Sequence, residues 1–144
     1  MTEDSFPRDL DYLARLPENK DVAIGCIGAG FIMSDCHLVA YRQAGLNPVA
    51  IVSRTPEKAR QVAQRHAIPT VYETLEGLLN DTEIEVVDIA VPPDQQWNII
   101  QEVVKHSDHI HGVLAQKPLG MDYAQAREIV EACQRAGIKL AVNQ

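Results

Sequence analysis

Three short stretches of this 144-residue sequence carry residue types that could do chemistry. The first is Gly28-Ala29-Gly30, between the apolar run VAIGCI (22–27) and the segment FIMSDCHLVAYRQAG. Gly28 permits a tight turn, and Gly30 lets the backbone come close to a pyrophosphate. The N–H groups of a helix opening near Phe31 and Ile32 would then hold the negative charge. A full phosphate-binding fingerprint has a third glycine, and Met33 stands at its position. What keeps the pair informative is its place at the first strand-to-helix junction. A glycine turn that binds nothing is the competing reading.

The second stretch is Ser53-Arg54-Thr55, at the end of the next apolar run. An acidic residue usually sits here when NAD(H) is bound, accepting from the ribose hydroxyls. Ser53 lacks that charge, and Arg54 offers a guanidinium fork to a 2′-phosphate. The pair favours NADP(H) over NAD(H), against the plainer reading of a turn serine beside a solvated arginine. The third stretch is Lys117-Pro118, after HGVLAQ (111–116). A cation at the carboxyl end of a strand can orient a hydroxyl, polarise a carbonyl or share in proton transfer. A surface lysine, or one paired with Asp94 or another carboxylate, is the alternative, and the residues leave both open.

Val91, Pro92 and Pro93 close a further run, VVDIAV (86–91). A proline pair cannot continue a sheet and bends the chain over the same edge. Asp88, inside that run, reads as a structural acceptor. His37, in the first helix, reads as a packing or capping residue. His106, His109 and His111 have no carboxylate at metal-site spacing to complete them.

These stretches meet only if the chain alternates strand and helix. PVAIVS (48–53) and IKLAVN (138–143) join the three runs above as strands, with PTVY (69–72) a weaker candidate. Short β-branched runs without clean alternation suit strands buried on both faces. Helices fill the gaps. Thr55 and Pro56 open one that carries Ala59, Val62, Ala63 and His66 on one face. Thr74 caps a short one with Leu75, Leu78 and Leu79. Asp94 precedes a third with Trp97, Ile100, Val103 and Val104. Asp122 and Gln125 form a capping box for a last one burying Ala126, Ile129, Val130 and Cys133, with Gly137 past its end. The pattern predicts an α/β fold, a doubly wound and mainly parallel sheet (a Rossmann fold) with helices on both faces. Residues 1–20 read as a lead-in, with Leu10 to Leu16 as a possible anchor, and residues 21–144 as a dinucleotide-binding domain.

Composition agrees with a packed domain, at 46% hydrophobic and 23% charged residues. Thirteen basic against twenty acidic residues, a net charge of −7, argue against nucleic acid or an anionic membrane as partner. No stretch reaches the length of a membrane span, and the acidic opening residues hold no apolar run of signal-peptide length. Cys26, Cys36 and Cys133 fit neither a disulfide framework nor a metal site, so a cytoplasmic location is expected.

Taken in order, IGAGFI, SRTPEKA, DIAVPP and AQKPLG resemble the N-terminal domain of the Gfo/Idh/MocA oxidoreductases, which include glucose–fructose oxidoreductase and inositol dehydrogenase. The resemblance runs from about Asp21 to Gln144. It implies an NAD(P)-binding Rossmann domain that is followed, in the family, by an α/β domain absent from these residues. That second domain supplies much of the substrate pocket, commonly a catalytic Asp or His, and often the oligomer interface. By resemblance Gln116-Lys117-Pro118 matches the family's EKP, with glutamine for the usual glutamate, and Lys117 is the active-site lysine. Pro92 and Pro93 match the family's proline pair. Gln96 replaces a frequent histidine on the nicotinamide side, and Asn143 matches a polar position near cofactor or substrate. The implied activity is hydride transfer on a sugar, polyol or related secondary alcohol, with a small polyhydroxy substrate and a homo-oligomer in the complete protein. Little turnover is expected from these residues alone. A non-catalytic nucleotide-binding or scaffold module is the alternative. An Ado-methionine-dependent methyltransferase shares the glycine turn but explains neither proline motif.

Overall fold

The computed structural model describes residues 15–144, so the expected anchor from Leu10 to Leu16 lies outside the described residues up to residue 14. Six strands form one sheet: β1 (Ala23–Ile27), β2 (Asn47–Val52), β3 (Thr70–Tyr72), β4 (Val86–Ile89), β5 (Gly112–Gln116) and β6 (Lys139–Asn143). Their order is β3-β2-β1-β4-β5-β6, and every neighbouring pair is parallel. The chain winds outward from β1 through β2 to β3, then returns beside β1 as β4 and winds the other way. That reversal leaves a crevice at the carboxyl ends of β1 and β4.

Alternate residues of β1 and β2 enter different cores, which is why these strands lack a polar face. Ile24, Cys26 and Ile51 pack with Met33, Leu38, Ala59, Val62 and Ala63. Those partners come from a π-helical segment (Ile32–His37), from α1 (Leu38–Ala44) that continues it, and from α2 (Pro56–His66). Ile27, Val52, Val87, Ile89, Val113 and Ala115 face the other way. They meet Leu78 and Leu79 of α3 (Leu75–Leu79), Ile100 and Val103 of α4 (Pro93–Val103), and Ile129 and Cys133 of α5 (Tyr123–Arg135). Asp88 lies between Val87 and Ile89, so the two-residue period turns its carboxylate toward the α1 side.

Several local signals act as their chemistry predicts. The Thr74 hydroxyl accepts from Gly77 N–H at 3.0 Å, and the Asp122 carboxylate accepts from Gln125 N–H at 2.8 Å. The Gln125 side chain reaches back to Met121 N–H rather than to the cap residue itself. Other expectations need correction. Thr55 occupies its cap position without a side-chain capping bond; Ser53 Oγ instead accepts from Thr55 N–H. α4 begins at Pro93, with Pro92 as N-cap, so Asp94 lies in its first turn rather than before it. Proline suits that first position because its missing N–H would have no partner inside the helix. Val130 is 46% exposed, because Ala132 takes the inward position in the next turn of α5.

Candidate functional site

The glycine turn is built on contacts that a side chain would destroy. Gly28 has φ +108°, its N–H donates to Val52 O at 2.9 Å, and a Cβ there would lie 2.4 Å from Ala90 O. Gly30 differs, since a Cβ there would meet nothing within 4 Å. Its open side leaves room for a ligand to approach the backbone. Met33 replaces the third fingerprint glycine and is fully buried against the sheet. The segment that carries it is π-helical, a wider turn than the α form. Arg65 of α2 ties this segment down, reaching Ser34 Oγ at 3.0 Å and Asp35 Oδ1 at 2.6 Å.

A crevice of about 600 Å³ opens beside this turn. Gly28 and Gly30, Ser53 and Arg54, and Val91 and Pro92 line it, so residues from the carboxyl ends of β1, β2 and β4 come together. Sequence reasoning missed the walls away from these strand ends: Glu73 and Leu75 beyond β3, and Gln95, Asn98 and Ile99 on α4. The last three share one helical face by their spacing, a signal that could have marked them once α4 was placed over the sheet edge. Arg54 is exposed, and among the described residues it has no ion-pair partner. Glu73 does have one, the guanidinium of Arg60 on α2, whose pKa is raised by the hydrogen bond it donates to that carboxylate and by the carboxylate's charge.

The other expected site residues lie outside the crevice walls. Phe31 stands 71% exposed at the start of the π-helical segment, with Ile32 following it. Pro93 opens α4. Gln96 is fully buried and does not open to the crevice. Its Nε2 donates to Gln116 O and to Pro118 O, at 2.8 Å each. These bonds bracket Lys117, whose side chain is exposed and, among the described residues, without an ion-pair partner. The pairing with Asp94 considered from the sequence is therefore not formed. Asn143 ends β6, and its carbonyl accepts from Lys117 N–H at 3.3 Å.

A family model described as an oxidoreductase family with an NAD-binding Rossmann fold matches residues 22–144. The chain belongs to the Gfo/Idh/MocA oxidoreductases. Among curated relatives, D-apiose dehydrogenase of Paraburkholderia graminis is 29% identical over 119 residues, a match covering 82% of this chain and 31% of that protein. Among solved structures, an NAD binding oxidoreductase from Klebsiella pneumoniae superposes with a TM-score of 0.76 at 29% identity, covering 85% of this chain and 34% of that one. KijD10, a 3-ketoreductase from Actinomadura kijaniata crystallised with NADP and TDP-benzene, also superposes with a TM-score of 0.76, at 26% identity. That match covers 85% of this chain and 37% of KijD10. The chain thus spans about a third of the length of these Gfo/Idh/MocA relatives. Among the described residues no helix is long and apolar enough to cross a membrane.

Proposed function

We propose that this chain is the cofactor-binding part of an oxidoreductase that uses NADP(H) in preference to NAD(H) and acts on a sugar, polyol or related secondary alcohol. The observation that carries the cofactor preference is Arg54, an exposed guanidinium in the crevice with no ion-pair partner among the described residues. Ser53 beside it adds a hydroxyl and no negative charge. Glu73 is the one carboxylate among the crevice-lining residues, and its pairing with Arg60 offsets a charge that would oppose a 2′-phosphate. The turn also fits the group: Gly28 excludes a side chain, Gly30 leaves open space, and Phe31 and Ile32 offer N–H groups to a pyrophosphate. The apolar walls Leu75, Val91, Pro92 and Ile99 suit a flat ring, and Pro93 fixes the start of α4 beside them.

When bound, the nicotinamide supplies hydride exchange with a carbon of the substrate. This chain's own contribution there is Lys117, which orients the substrate hydroxyl and stabilises charge developing on its oxygen. Asn143 and Gln96 hold the Lys117 backbone and the carbonyls beside it. A second domain, by family likeness, completes the substrate pocket and supplies the acid/base partner and the contacts of a homo-oligomer. The names of D-apiose dehydrogenase and of the 3-ketoreductase support a polyhydroxy substrate. The free thiols Cys26, Cys36 and Cys133 fit a reducing cytoplasm.

Fluorescence titration with NADPH and NADH tests the cofactor assignment. Arg54→Ala should weaken NADPH by about 10- to 100-fold, the scale of one charged hydrogen-bonding pair, and NADH by less than about twofold. An equal loss for both cofactors would remove Arg54 from the 2′-phosphate.

A further inference from the structure

A second polar cluster with a buried centre lies at the ends of β4, β5 and β6, between them and the first helical segment. His37 is 6% exposed and Asp88 is fully buried. Asp88 Oδ2 accepts from the Tyr41 hydroxyl at 2.6 Å and lies 2.7 Å from His37 Nδ1. Across the ring, His37 Nε2 lies 2.7 Å from Asn143 Nδ2 and 3.3 Å from Gln116 Nε2. The Gln116 amide has no freedom to turn over, because its Oε1 accepts from Lys117 N–H at 2.8 Å. Its NH₂ group therefore faces the histidine.

That arrangement decides where the ring proton sits. An amide NH₂ donates and cannot accept, so Nε2 must be bare to receive it. The proton is then on Nδ1, where the Asp88 carboxylate accepts it. We propose that His37 is a positioning residue for Lys117. Its neutral, Nδ1-protonated ring orients the Gln116 amide, and that amide holds the Lys117 backbone. The inference rests on the reading of Lys117 as the residue that meets substrate. The titratable groups around the ring are Asp88 on β4, Tyr41 on α1 and, beside Asp88 in the strand register, Cys26 on β1. β5 and β6 present only the neutral amides of Gln116 and Asn143. A protonated Nε2 would point its hydrogen at the Gln116 NH₂, and turning that amide over would leave Lys117 N–H only its longer bond to Asn143 O at 3.3 Å.

The test uses the 144-residue chain with ¹⁵N-labelled histidine and needs no cofactor. Long-range ¹H–¹⁵N spectra should show the His37 proton on Nδ1, with Nε2 bare. Gln116→Glu keeps the shape but sets a carboxylate oxygen against Nε2, so a hydrogen should now be seen on Nε2, bonded to that oxygen. His37→Gln should speed hydrogen exchange at Lys117 N–H by about tenfold or more, leaving Gly28 N–H unchanged. A parent ring protonated on Nε2 would overturn the proposal. So would a Gln116→Glu ring identical to the parent, a result that holds even if the His37 variant does not fold. Failure to bind NADPH would sink the cofactor reading while leaving these ring measurements intact.

Discussion

Two turns at the same edge of the sheet are stabilised in opposite ways. The turn after β1 works by leaving side chains out: Gly28 sits against Ala90 O where no Cβ fits, and Gly30 faces open space. The turn after β5 works by bringing side chains in. Gln96 from α4 holds the carbonyls on either side of Lys117, Gln116 holds the Lys117 N–H, and His37 from the first helix orients Gln116. The first turn rests on backbone of neighbouring strands, Val52 and Ala90, and the second on side chains from across the domain. On the proposed reading, a phosphate at the first turn needs bare N–H groups, whereas the Lys117 amine needs a fixed point of attachment and a free end.

The contrast breaks most sharply at Gly28. Gly28→Ala places a Cβ in a position already taken by backbone, at a φ that L-residues rarely adopt. The expected result is a loss of about 3 kcal/mol in urea unfolding and NADPH binding weakened more than about 100-fold. The Lys117 turn should keep its hydrogen-exchange protection as long as the domain folds. Retained binding in Gly28→Ala would mean that the turn can rearrange, and the glycine would lose its assigned purpose.

Gln96→Leu probes the other turn with a smaller effect. It removes the two donors that bracket Lys117 and also the buried Oε1, which has no partner among the described residues. The two carbonyls then lose a buried partner, at about 1–3 kcal/mol measured by denaturant midpoint. NADPH affinity should change by less than about threefold, because Gln96 does not line the crevice. A loss as large as that of Gly28→Ala would show that the two turns are one mechanical unit.

The same difference explains what could be read from the sequence. The glycine turn, the Ser53-Arg54 pair and the proline bend are contiguous, and their chemistry is local. The crevice does gather Gly28, Gly30, Ser53, Arg54, Val91 and Pro92 as that reading expected. Glu73 escaped notice because β3 is only three residues long and its end was hard to mark. Gln96 stands out only through the family resemblance, and its burial with an amide donating to the carbonyls beside Lys117 is not legible from the sequence. The pairing of His37 with Asn143 joins residues 106 positions apart, and no spacing rule reaches that far. Asp88 was legible as a structural acceptor from its apolar strand; which groups it accepts from was not.

The smallest effect concerns Tyr41, at the far end of the Lys117 supports. Burial pushes the Tyr41 hydroxyl pKa well above its ordinary 10.0, with the nearby Asp88 charge and hydrogen bond acting in the same direction. The folded protein therefore keeps this proton where the unfolded chain releases it. The resulting stability is fully present below pH 10 and declines as the pH rises beyond it. Tyr41→Phe should cost only about 1 kcal/mol at neutral pH, one hydrogen bond to a carboxylate that keeps His37 as a second donor. Above pH 10 the deficit relative to the parent should shrink, because phenylalanine has no proton to lose in the unfolded state. Parallel stability curves for parent and variant across that range would show that the hydroxyl titrates alike in both states, and Asp88 would then be held by His37 alone.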